Sequence, residues 1–515
     1  MLNRSAHLFA QERDRGGTVA LHFQGQAITF AALADRVRAM AAEMARHDIG
    51  PGRRVGIMMP SSPDFIVVQQ ALFLLGATIS PLNIFYRPSE IAHVVDSCDL
   101  THLVIHADLL DRTPQHRDAQ PSLVGILVVD GDSAALPPGA IALRPIPFEA
   151  APSPASVAPD DIVMLLNTSA TIGKSKGVML TAANLAANYD RTPDWLGLSA
   201  ADVILCALPL YNTFGLNQCI NAMLVTGATM VLLPRFDAKT CVEAIRRHRC
   251  TFVPAVPTML QKIVDDVPPG SRDLATVERV MTGGAPVPAP LLRRVLAAMG
   301  SDTVVLTGYG LTEGTALVTL TAVRLGADGD LEHGRTIGRV LDGMEIAIRS
   351  EDGRILPSGS VGEIAVRGPN VMAGYHKAPD DTAAAIADGW LLSGDLGYVD
   401  ADGYAFIVDR KKDVIIRGGQ NIYPADIEEV LYQVAGVAEV AVVGIPDDML
   451  GEVPVAFVAL QPAADVGATQ LIAHCKAELA HYKVPAEIVI RPELPKGPTG
   501  KILRRALRPQ PAVTA

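Results

Sequence analysis

Hydroxyl, glycine and lysine residues are concentrated in the segment 168–177, which reads TSATIGKSKG. The segment directly follows a predicted buried strand over 162–166. Backbone N–H groups, hydroxyls and lysine ammonium groups placed after a strand are suited to bind the oxygens of a polyphosphate. It is not a P-loop of the GxxxxGK[ST] type, because the opening glycine would have to be residue 168, which is Thr. Taken alone, the segment predicts either a phosphate-binding loop or a solvated polar loop.

A second glycine-rich segment, 307–314 (TGYGLTEG), follows a strand predicted over 303–306. Its glycines let the backbone approach a planar ring near Tyr309, and Glu313 offers a carboxylate to a metal ion. The glycine spacing, GxGxxxG, does not match the GxGxxG fingerprint of dinucleotide-binding proteins. By itself the segment is also typical of a glycine-rich turn, and both interpretations stay open.

Two further segments contain charged residues next to glycines. Asp395 lies in 390–397 (WLLSGDLG), where an aspartate at a predicted strand end could accept from ribose hydroxyls or belong to a turn. The charged stretch 408–413 (VDRKKD) and the segment 417–421 (RGGQN) follow it. Lys501 lies in 494–503 (LPKGPTGKIL), behind a Gly/Pro/Thr stretch that would let it reach a site made elsewhere. A basic solvated tail is the alternative.

The elements that must position these residues alternate between strand and helix patterns, as in parallel α/β sheets. The first part is predicted to hold strands at 54–59, 103–106, 123–129 and 162–166, helices at 62–75 and 182–189, and a Pro-rich surface crossing over 136–160. The pattern changes around 399–413, which predicts a turn at 400–403, a strand at 405–408 and a charged joint over 409–413. The last part predicts a compact α+β module with helices at 424–434 and 469–481 and strands at 437–444 and 453–460. We therefore place a domain boundary near Lys412.

Composition excludes several classes of protein. The chain has 515 residues, enough for two to four structural units, and its 49% hydrophobic and 19% charged residues exclude a disordered chain. The net charge of −11 argues against a nucleic-acid binder. The six scattered cysteines form no CxxC pair, which favours reduced, mostly buried thiols. No signal-peptide pattern and no apolar run of about 20 residues is present, so we expect a soluble cytoplasmic protein with no transmembrane segment.

The order and spacing of these segments resemble the adenylate-forming superfamily of acyl-CoA synthetases, aryl-CoA ligases, luciferases and peptide-synthetase adenylation domains. The resemblance runs from about residue 28 to 503 and also includes 208–215 (LPLYNTFG), 282–286 (TGGAP), 336–339 (TIGR) and 362–368 (GEIAVRG). It implies an α/β fold with a large N-terminal lobe of layered α/β sheets, a small β-barrel-like part, and a small mobile α+β C-terminal domain. The implied domains are 1–411, with the ATP and acyl sites, and 412–515, with a catalytic lysine.

The resemblance also implies a reaction. A carboxylate attacks the α-phosphate of Mg-ATP to give an acyl-adenylate and pyrophosphate, and a thiol, usually that of coenzyme A, then displaces AMP. Cations and hydrogen-bond donors must offset the repulsion between the carboxylate and the polyphosphate. Lys501 resembles the lysine that bridges carboxylate and α-phosphate during adenylation only. Rotation at Lys412, where the family hinges, would withdraw Lys501 and present Arg417, Gly418 and Gly419 to the pantetheine arm of CoA.

The resemblance assigns the remaining site residues one by one. Thr312 resembles a catalytic donor to the α-phosphate, and Glu313 the carboxylate for Mg²⁺. The residues that resemble ATP and AMP contacts are Thr168, Ser169, Thr171, Gly173 and Lys176 on the phosphate side, Gly283, Gly284, Ala285, Gly308, Tyr309 and Gly310 around the adenine, and Asp395 and Arg410 at the ribose. The residues that resemble the acyl pocket are Tyr211, Asn212, Phe214, Gly215, Val256, Gly283 and Gly310.

Three positions depart from the family pattern. The phosphate loop has Ala170 where the family usually has Gly, and Ile172 where it has a second hydroxyl. If residue 170 needs a positive φ, its Cβ costs roughly 1–2 kcal/mol, and the missing donor costs roughly 1.5–3 kcal/mol. We therefore expect a weaker hold on ATP or pyrophosphate. Asn212 stands where the family often has His, which leaves open how the acyl and thiol channels are gated.

The predicted pocket walls, 211–223, 253–259, 281–286 and 307–312, contain no Lys, Arg, Asp or Glu. A dicarboxylate would need a cation there, because burying an unpaired carboxylate is costly, and an amino acid would need a carboxylate. An apolar acyl or aryl acid is favoured, with a leaning towards the fatty acyl-CoA ligases and fatty acid metabolism. Two alternatives stay open: a stand-alone ligase that loads the phosphopantetheine of an acyl carrier protein, and a weakened relative that only binds acyl-adenylate.

Overall fold

The computed structural model describes the chain except for residues 1, 114–121, 133–135, 146–151, 168–174, 269, 286, 301, 327–328, 448, 462–463, 498–501 and 509–515. The α-helices are α1 (Ala6–Arg15), α2 (Phe30–Ala45), α3 (Pro63–Leu74), α4 (Pro88–Ser97), α5 (Ala182–Asn188), α6 (Thr192–Trp195), α7 (Thr213–Gly215), α8 (Ala222–Thr226), α9 (Ala238–His248), α10 (Pro257–Asp265), α11 (Ala289–Met299), α12 (Pro379–Ala385), α13 (Pro424–Tyr432) and α14 (Ala468–Glu478). A π-helix over Leu216–Asn221 joins α7 to α8.

The strands of the large part are β1 (Val19–Phe23), β2 (Gln26–Thr29), β3 (Arg54–Met58), β4 (Thr78–Pro81), β5 (His102–His106), β6 (Gly125–Val129), β7 (Ala140–Ala142), β8 (Ile162–Asn167), β9 (Gly177–Thr181), β10 (Val203–Cys206), β11 (Thr229–Leu232), β12 (Phe252–Pro254), β13 (Arg279–Gly283), β14 (Val304–Gly310), β15 (Leu317–Leu325), β16 (Leu331–Glu332), β17 (Arg339–Val340), β18 (Glu345–Arg349), β19 (Gly362–Arg367), β20 (Gly374–Tyr375), β21 (Ile386–Ala387), β22 (Trp390–Val399) and β23 (Ala405–Arg410). The last part has β24 (Ile415–Arg417), β25 (Gln420–Ile422), β26 (Val437–Asp447), β27 (Gly451–Leu460) and β28 (Glu487–Arg491).

Two large sheets form the layers of the N-terminal lobe. One has the order β16-β15-β14-β13-β12-β10-β11-β1-β2, with β17 added on β15, and the other has the order β20-β9-β8-β4-β3-β5-β6-β7. The pairs from β1 and β11 through β10, β12 and β13 to β14 are parallel, as are β8-β4, β4-β3, β3-β5 and β5-β6. A single hydrophobic cluster spans both sheets. The predicted α/β fold class is confirmed.

Helix α3 shows how the sequence determines a local element. The hydroxyl of Ser62 accepts from the N–H of Phe65 at 3.3 Å, and Pro63 occupies the first helical position. Every residue of the helix except Asp64 is buried. A largely apolar surface is expected of a helix in the middle of a large core, and here the polar Gln69 and Gln70 are buried with it.

The strand predictions were wrong about where two strands end. Strand β14 runs on through Gly310, and β22 runs from Trp390 to Val399, so Asp395 lies inside a strand and not at a strand end or in a turn. Pairing with neighbouring strands decides both cases, since Gly308 pairs with Leu320 of β15 and Asp395 with Arg410 of β23. The charged joint predicted over 409–413 likewise begins as strand, because β23 ends only at Arg410.

The small β-barrel-like part corresponds to an antiparallel sheet of five strands, in the order β18-β19-β22-β21 with β23 added on β22. The C-terminal part forms a separate sheet, β25-β24-β27-β26 with β28 on β27. Its hydrophobic cluster, from Ile415 to Ile488, is distinct from the core of the large lobe. The boundary at 411/412 falls between β23 and β24, which belong to different sheets. That the part after it moves as a unit remains a prediction.

A buried aspartate joins β23 to the C-terminal part. Asp409 is 4% exposed; its carboxylate accepts from the N–H of Ala425, in the first turn of α13, at 3.0 Å and from the N–H of Arg410 at 2.7 Å. The N-cap residue of that helix, Tyr423, supplies no side-chain cap. Asp409, which lies in a different sheet, instead accepts from a free N–H group at the N-terminus of the helix. Burial raises the pKa of Asp409 to about 6, against the opposing effects of these N–H groups and of Arg504.

This pKa predicts a pH-dependent contribution to stability. The carboxyl has an unfolded pKa near 3.9, so between about pH 4 and 6 the folded chain binds more protons and its stability falls as pH rises. We expect the free energy of unfolding of wild type, relative to Asp409→Asn, to fall by roughly 2–3 kcal/mol across this window. Chemical unfolding at several pH values measures the difference. Asp402→Asn, at an exposed turn, is the control. If the free energy of unfolding depended on pH in the same way for wild type and Asp409→Asn, the prediction would be contradicted.

Candidate active site

The carboxylate of Glu313 lies in a tight reversal between β14 and β15. A short 3₁₀ helix over Thr312–Gly314 is followed by Thr315, whose φ is +68° and ψ −45°. The N–H of Ala316 donates to the carbonyl of Gly314 at 2.8 Å, which closes a γ-turn centred on Thr315. A β-branched residue rarely adopts a positive φ. The reversal lets β15 pair with β14 at once, and it places Thr312 and Glu313 at the end of the strand.

Glycines keep the backbone bare beside this turn. Gly283 and Gly308 are partners across β13 and β14. A Cβ on Gly283 would lie 2.9 Å from the carbonyl oxygen of Gly308, and a Cβ on Gly310 would lie 1.8 Å from that of Ala316. Gly284 has a φ of +76° and leads out of β13 towards Ala285. The neighbouring backbone therefore requires glycine at 283 and 310, and a backbone without side chains at these positions would also let a planar purine ring approach it.

Tyr309, Asp395 and Arg410 form the best-defined group of the site. The hydroxyl of Tyr309 donates to Oδ2 of Asp395 at 2.6 Å, and Nε of Arg410 lies 3.3 Å from Oδ1. Tyr309 and Asp395 are each 8% exposed. Burial, together with the carboxylate of Asp395, raises the pKa of Tyr309 well above its ordinary value, so the phenol stays a donor. The ring is thereby held on the sheet, and the carboxylate has lone pairs left for hydroxyls of a sugar.

A second group surrounds Glu313. The hydroxyl of Tyr375 donates to Oε1 of Glu313 at 2.9 Å. Nζ of Lys176 lies 5.1 Å from the centre of the Tyr375 ring and 2.5 Å from Oδ1 of Asp381. Sequence analysis missed Tyr375 and Asp381, because neither belongs to a motif and both come from the segment after β19.

The surroundings of Glu313 fit Mg²⁺. The part of the chain that the structure describes has no cluster of three or more His, Cys, Asp or Glu residues able to hold a metal. Mg²⁺ in phosphate-transfer sites is commonly held by one or two carboxylates together with substrate phosphates. Glu313 accepts on Oε1 from Tyr375, and we find no hydrogen bond to its Oε2 from the described residues. That oxygen is the one we would assign to the ion, which would neutralise phosphate charge when bound.

The predicted acyl segment forms a helix start. Oδ1 of Asn212 accepts from the N–H of Gly215 at 2.9 Å and so caps α7. A Cβ on Gly215 would lie 2.3 Å from the carbonyl oxygen of Pro209, which accounts for glycine there. Burial raises the pKa of the neighbouring Tyr211 to about 12. Phe214 and Val256 are half-buried against the main core. Capping of α7 is a structural reason for an asparagine at position 212. The effect of Asn212 on channel gating stays a prediction.

A buried cation lies close behind this segment, which sequence analysis missed. Arg4 donates to Oδ1 of Asn221, in the π-helix, at 2.5 Å and forms an ion pair with Asp190. His7 also contacts Asp190, at 3.1 Å. The pocket segments themselves carry no charge, and the charge of Arg4 is balanced by Asp190. The reason for favouring an apolar acid is therefore unchanged.

The structure does not bring all predicted site residues together. Thr168, Ser169, Ala170, Thr171, Ile172, Gly173 and Lys501 lie outside the described residues. Gly418 and Gly419 have φ of +56° and +81° and form the two-residue turn between β24 and β25. This turn requires glycines in its own right. Arg417 donates to the carbonyl of Tyr482 at 2.8 Å, and we find no contact among the described residues that joins 417–419 to Asp395 or Glu313.

Lys412 follows Arg410 by two residues. The pKa of Lys412 is lowered, first by burial and then by the charge of Arg410, while Asp413 and Asp395 oppose the shift. The predicted hinge residue thus lies within electrostatic reach of the Tyr309–Asp395–Arg410 group. Its role as a hinge remains a prediction.

Comparison with known families identifies the chain. A family described as AMP-binding enzyme matches residues 8–376, and the AMP-binding enzyme C-terminal domain matches residues 426–501. The chain belongs to the AMP-binding enzyme family.

Relatives and solved structures agree with this membership. The chain is 35% identical over 496 residues to a 3-[(3aS,4S,7aS)-7a-methyl-1,5-dioxo-octahydro-1H-inden-4-yl]propanoyl:CoA ligase of Rhodococcus jostii (strain RHA1), covering 93% of each chain. It is 36% identical to a sulfoacetate–CoA ligase of Cupriavidus necator, covering 94% of this chain and 92% of the relative.

A solved structure of o-succinylbenzoate CoA synthetase from Bacillus subtilis, in complex with its acyl-adenylate intermediate, superposes with a TM-score of 0.82 at 29% identity and covers 97% of each chain. The same enzyme has been solved with ATP and magnesium ion. This AMP-binding enzyme is an acid–CoA ligase that works through an acyl-adenylate, with ATP, Mg²⁺, coenzyme A and a small-molecule acid as its cofactors and substrates.

Removal of the Asp395 carboxylate tests the ribose assignment. We expect Asp395→Ala to raise KM for ATP by roughly 10- to 100-fold, since a hydrogen bond to a charged group contributes about 1.5–3 kcal/mol. KM for the acid should change little. Pyrophosphate release at varied ATP and, separately, at varied acid measures the two constants, with Asp342→Ala, at an exposed turn, as the control. An unchanged KM for ATP would remove Asp395 from the ATP site.

Proposed function

We propose that this ligase activates an apolar acyl or aryl acid and transfers it to coenzyme A. The observation that carries the assignment of the site is the arrangement of two carboxylates around β14. Tyr309 in this strand binds Asp395, while Glu313, just beyond its end, is held separately by Tyr375. We therefore assign one carboxylate to a sugar and the other to a cation.

The residues divide the work of adenylation. The glycines of β13 and β14 and the ring of Tyr309 receive the adenine, and Asp395 with Arg410 receives the ribose. Lys176 is on the phosphate side, beside β9, and Thr312 donates to the α-phosphate. Lys501 draws the acid carboxylate and the α-phosphate together, which offsets the repulsion of two anions.

The described residues on either side of 498–501 are bound to each other and to the rest of the C-terminal part, where Lys496 pairs with Glu439 of β26. Lys496 and Ile502 form an antiparallel bridge, and the N–H of Leu503 donates to the carbonyl of Pro495 at 2.7 Å. Arg504 then binds both carboxylate oxygens of Glu428 in α13, at 2.7 and 2.8 Å. Rotation of residues 412–515 at Lys412 would therefore carry Lys501 with it. This supports a two-conformation mechanism in which 417–419 replace Lys501 for the thiol step.

The class of acid rests on the uncharged pocket segments and on relatives. The acid named for the Rhodococcus relative is built on fused rings, and the acid named for the Bacillus synthetase is a benzoate that carries a second carboxylate. The sulfoacetate–CoA ligase takes a small acid with a second negative charge. Arg4, which lies against the π-helix, is already paired with Asp190 and so offers little to such a group. We therefore favour an acid with an apolar body, with fatty acids among the candidates.

The setting follows from the substrates. Searching the described residues finds no helix long and apolar enough to cross a membrane. All six cysteines are free and buried, as expected for a reducing compartment. Its substrates ATP and coenzyme A are also consistent with such a compartment. We propose that the enzyme works in the cytoplasm.

A panel of acids tests the proposed function. Pyrophosphate release should require an apolar acyl or aryl acid, and a thioester should form with coenzyme A. Sulfoacetate and malonate serve as charged comparisons, and a holo acyl carrier protein as the alternative acceptor. A thioester on the carrier protein alone would favour the carrier-loading ligase. Calorimetric binding of acid and ATP without pyrophosphate release would favour the weakened relative.

Replacement of the lysine tests the two-conformation mechanism. We expect Lys501→Ala to lower the rate of adenylation by at least about 100-fold, since it removes a charge that acts on the transition state. Thioester formation from pre-made acyl-adenylate should stay largely intact. Lys476→Ala, on the exposed side of α14, is the control. An equal loss in both half-reactions would mean that Lys501 is structural.

A further inference from the structure

The segment from Asn370 to Tyr375, which we call the clamp, is bound to the Glu313 turn by four hydrogen bonds. The hydroxyl of Thr315 donates to the carbonyl of Asn370 at 2.6 Å, and Nδ2 of Asn370 donates to the carbonyl of Gly314 at 3.1 Å. The N–H of Met372 donates to the carbonyl of Glu313 at 2.8 Å. The fourth bond is that of the Tyr375 hydroxyl to Oε1 of Glu313, at 2.9 Å. Both the backbone and the side chain of Glu313 are thus held by the clamp.

The other end of the clamp belongs to the second large sheet. Gly374 and Tyr375 form β20, which pairs with Met179 and Val178 of β9. The N–H of Ala373 donates to the carbonyl of Met179 at 2.9 Å, and that of His376 to Gly177 at 2.8 Å. Strand β9 begins at Gly177, directly after Lys176. The clamp therefore spans from the turn that carries Glu313 in one sheet to the strand that begins beside Lys176 in the other.

A buried side chain holds the start of the clamp. Nδ2 of Asn184 donates to the carbonyls of Pro369 and Val371 at 2.7 and 2.9 Å. Its Oδ1 accepts from the N–H of Thr181, whose hydroxyl accepts in turn from the N–H of Asn184. The capping of α5 and the position of the clamp thus depend on the same residue. A clamp so fastened has little freedom to shift between the two sheets.

We propose that Tyr375 is a positioning residue that sets the separation between the magnesium carboxylate and the phosphate-side lysine. Its hydroxyl occupies Oε1 of Glu313 and so leaves Oε2 to the cation. Its ring receives the ammonium of Lys176, whose Nζ lies 5.1 Å from the ring centre, within the range of a cation–π contact. Tyr375 thereby contacts a negative and a positive group that must meet the same polyphosphate, and Asp381 shares with it the binding of the Lys176 ammonium. This inference rests on the proposed role of Glu313.

Two variants separate the hydroxyl from the ring. Tyr375→Phe keeps the ring beside Lys176 and removes the donor to Glu313. We expect the Mg²⁺ concentration for half-maximal pyrophosphate release to rise roughly 10-fold, from the loss of a hydrogen bond to a charged group. KM for the acid and the rate of thioester formation from pre-made acyl-adenylate should stay unchanged. Tyr375→Leu, which also removes the ring, should in addition raise KM for ATP at saturating Mg²⁺.

The control is Tyr398→Phe, because Tyr398 is half-buried and stacks on Phe406 in the five-stranded antiparallel sheet, away from Glu313. A double-variant cycle with Glu313→Gln, read as calorimetric binding of ATP with Mg²⁺, checks the pair directly: the effect of Tyr375→Phe should vanish once the carboxylate is an amide. An unchanged Mg²⁺ midpoint, or an effect of Tyr375→Phe that persists when Glu313→Gln is also present, would overturn the inference. Failure of the wild type to release pyrophosphate with any acid would instead refute the proposed function.

Discussion

The buried carboxylate of Asp395 is the constraint on which the site depends. A carboxylate taken out of water needs compensating partners, and here they come from two directions. Tyr309 approaches from the ten-stranded sheet, and Arg410 lies across from Asp395 in the antiparallel sheet. Because Asp395 and Arg410 belong to the same sheet, a displacement of that sheet against the ten-stranded one would remove Tyr309 and leave Arg410 as the remaining partner. The same interaction fixes the hydroxyl of Tyr309 and joins β14 to β22, whose neighbour β23 leads to Lys412.

The chain reversal after β14 is likewise held by contacts from a distant segment. Thr315 holds a positive φ that a β-branched residue rarely adopts, and its buried hydroxyl donates to the clamp. Strain of this kind persists only where the surroundings impose it, and the clamp supplies several hydrogen bonds to do so. The outcome is a glutamate whose backbone and side chain are both fixed before any substrate arrives. Such preorganisation is what electrostatic stabilisation of a polyphosphate needs.

Two interactions hold helix α13 at the junction between the lobe and the C-terminal part. Asp409 caps α13 across the boundary, and Arg504 binds Glu428 of the same helix. The first interaction joins the two parts, while the second lies wholly within the C-terminal part. Asp409 precedes Lys412 and α13 follows it, so rotation about Lys412 would break the Asp409 cap, whereas Arg504 would stay bound to α13. In the proposed rotation, Arg504 and α13 would move together.

The sequence alone determined the chemistry and its order along the chain. Residue type and hydrophobic period are local properties, so the α/β class, the helices at α3 and α13, and the motifs around Tyr309, Glu313 and Asp395 could be read from it. Tertiary structure alone decided which of these residues meet. Tyr375 reaches Glu313 across 62 positions, and Arg4 reaches Asp190 across 186. It also decided that 307–310 and Asp395 are strand, because a neighbouring strand supplies the hydrogen bonds. Sheet register and side-chain contacts between distant segments depend on how the layers pack, and spacing along the chain carries no record of that.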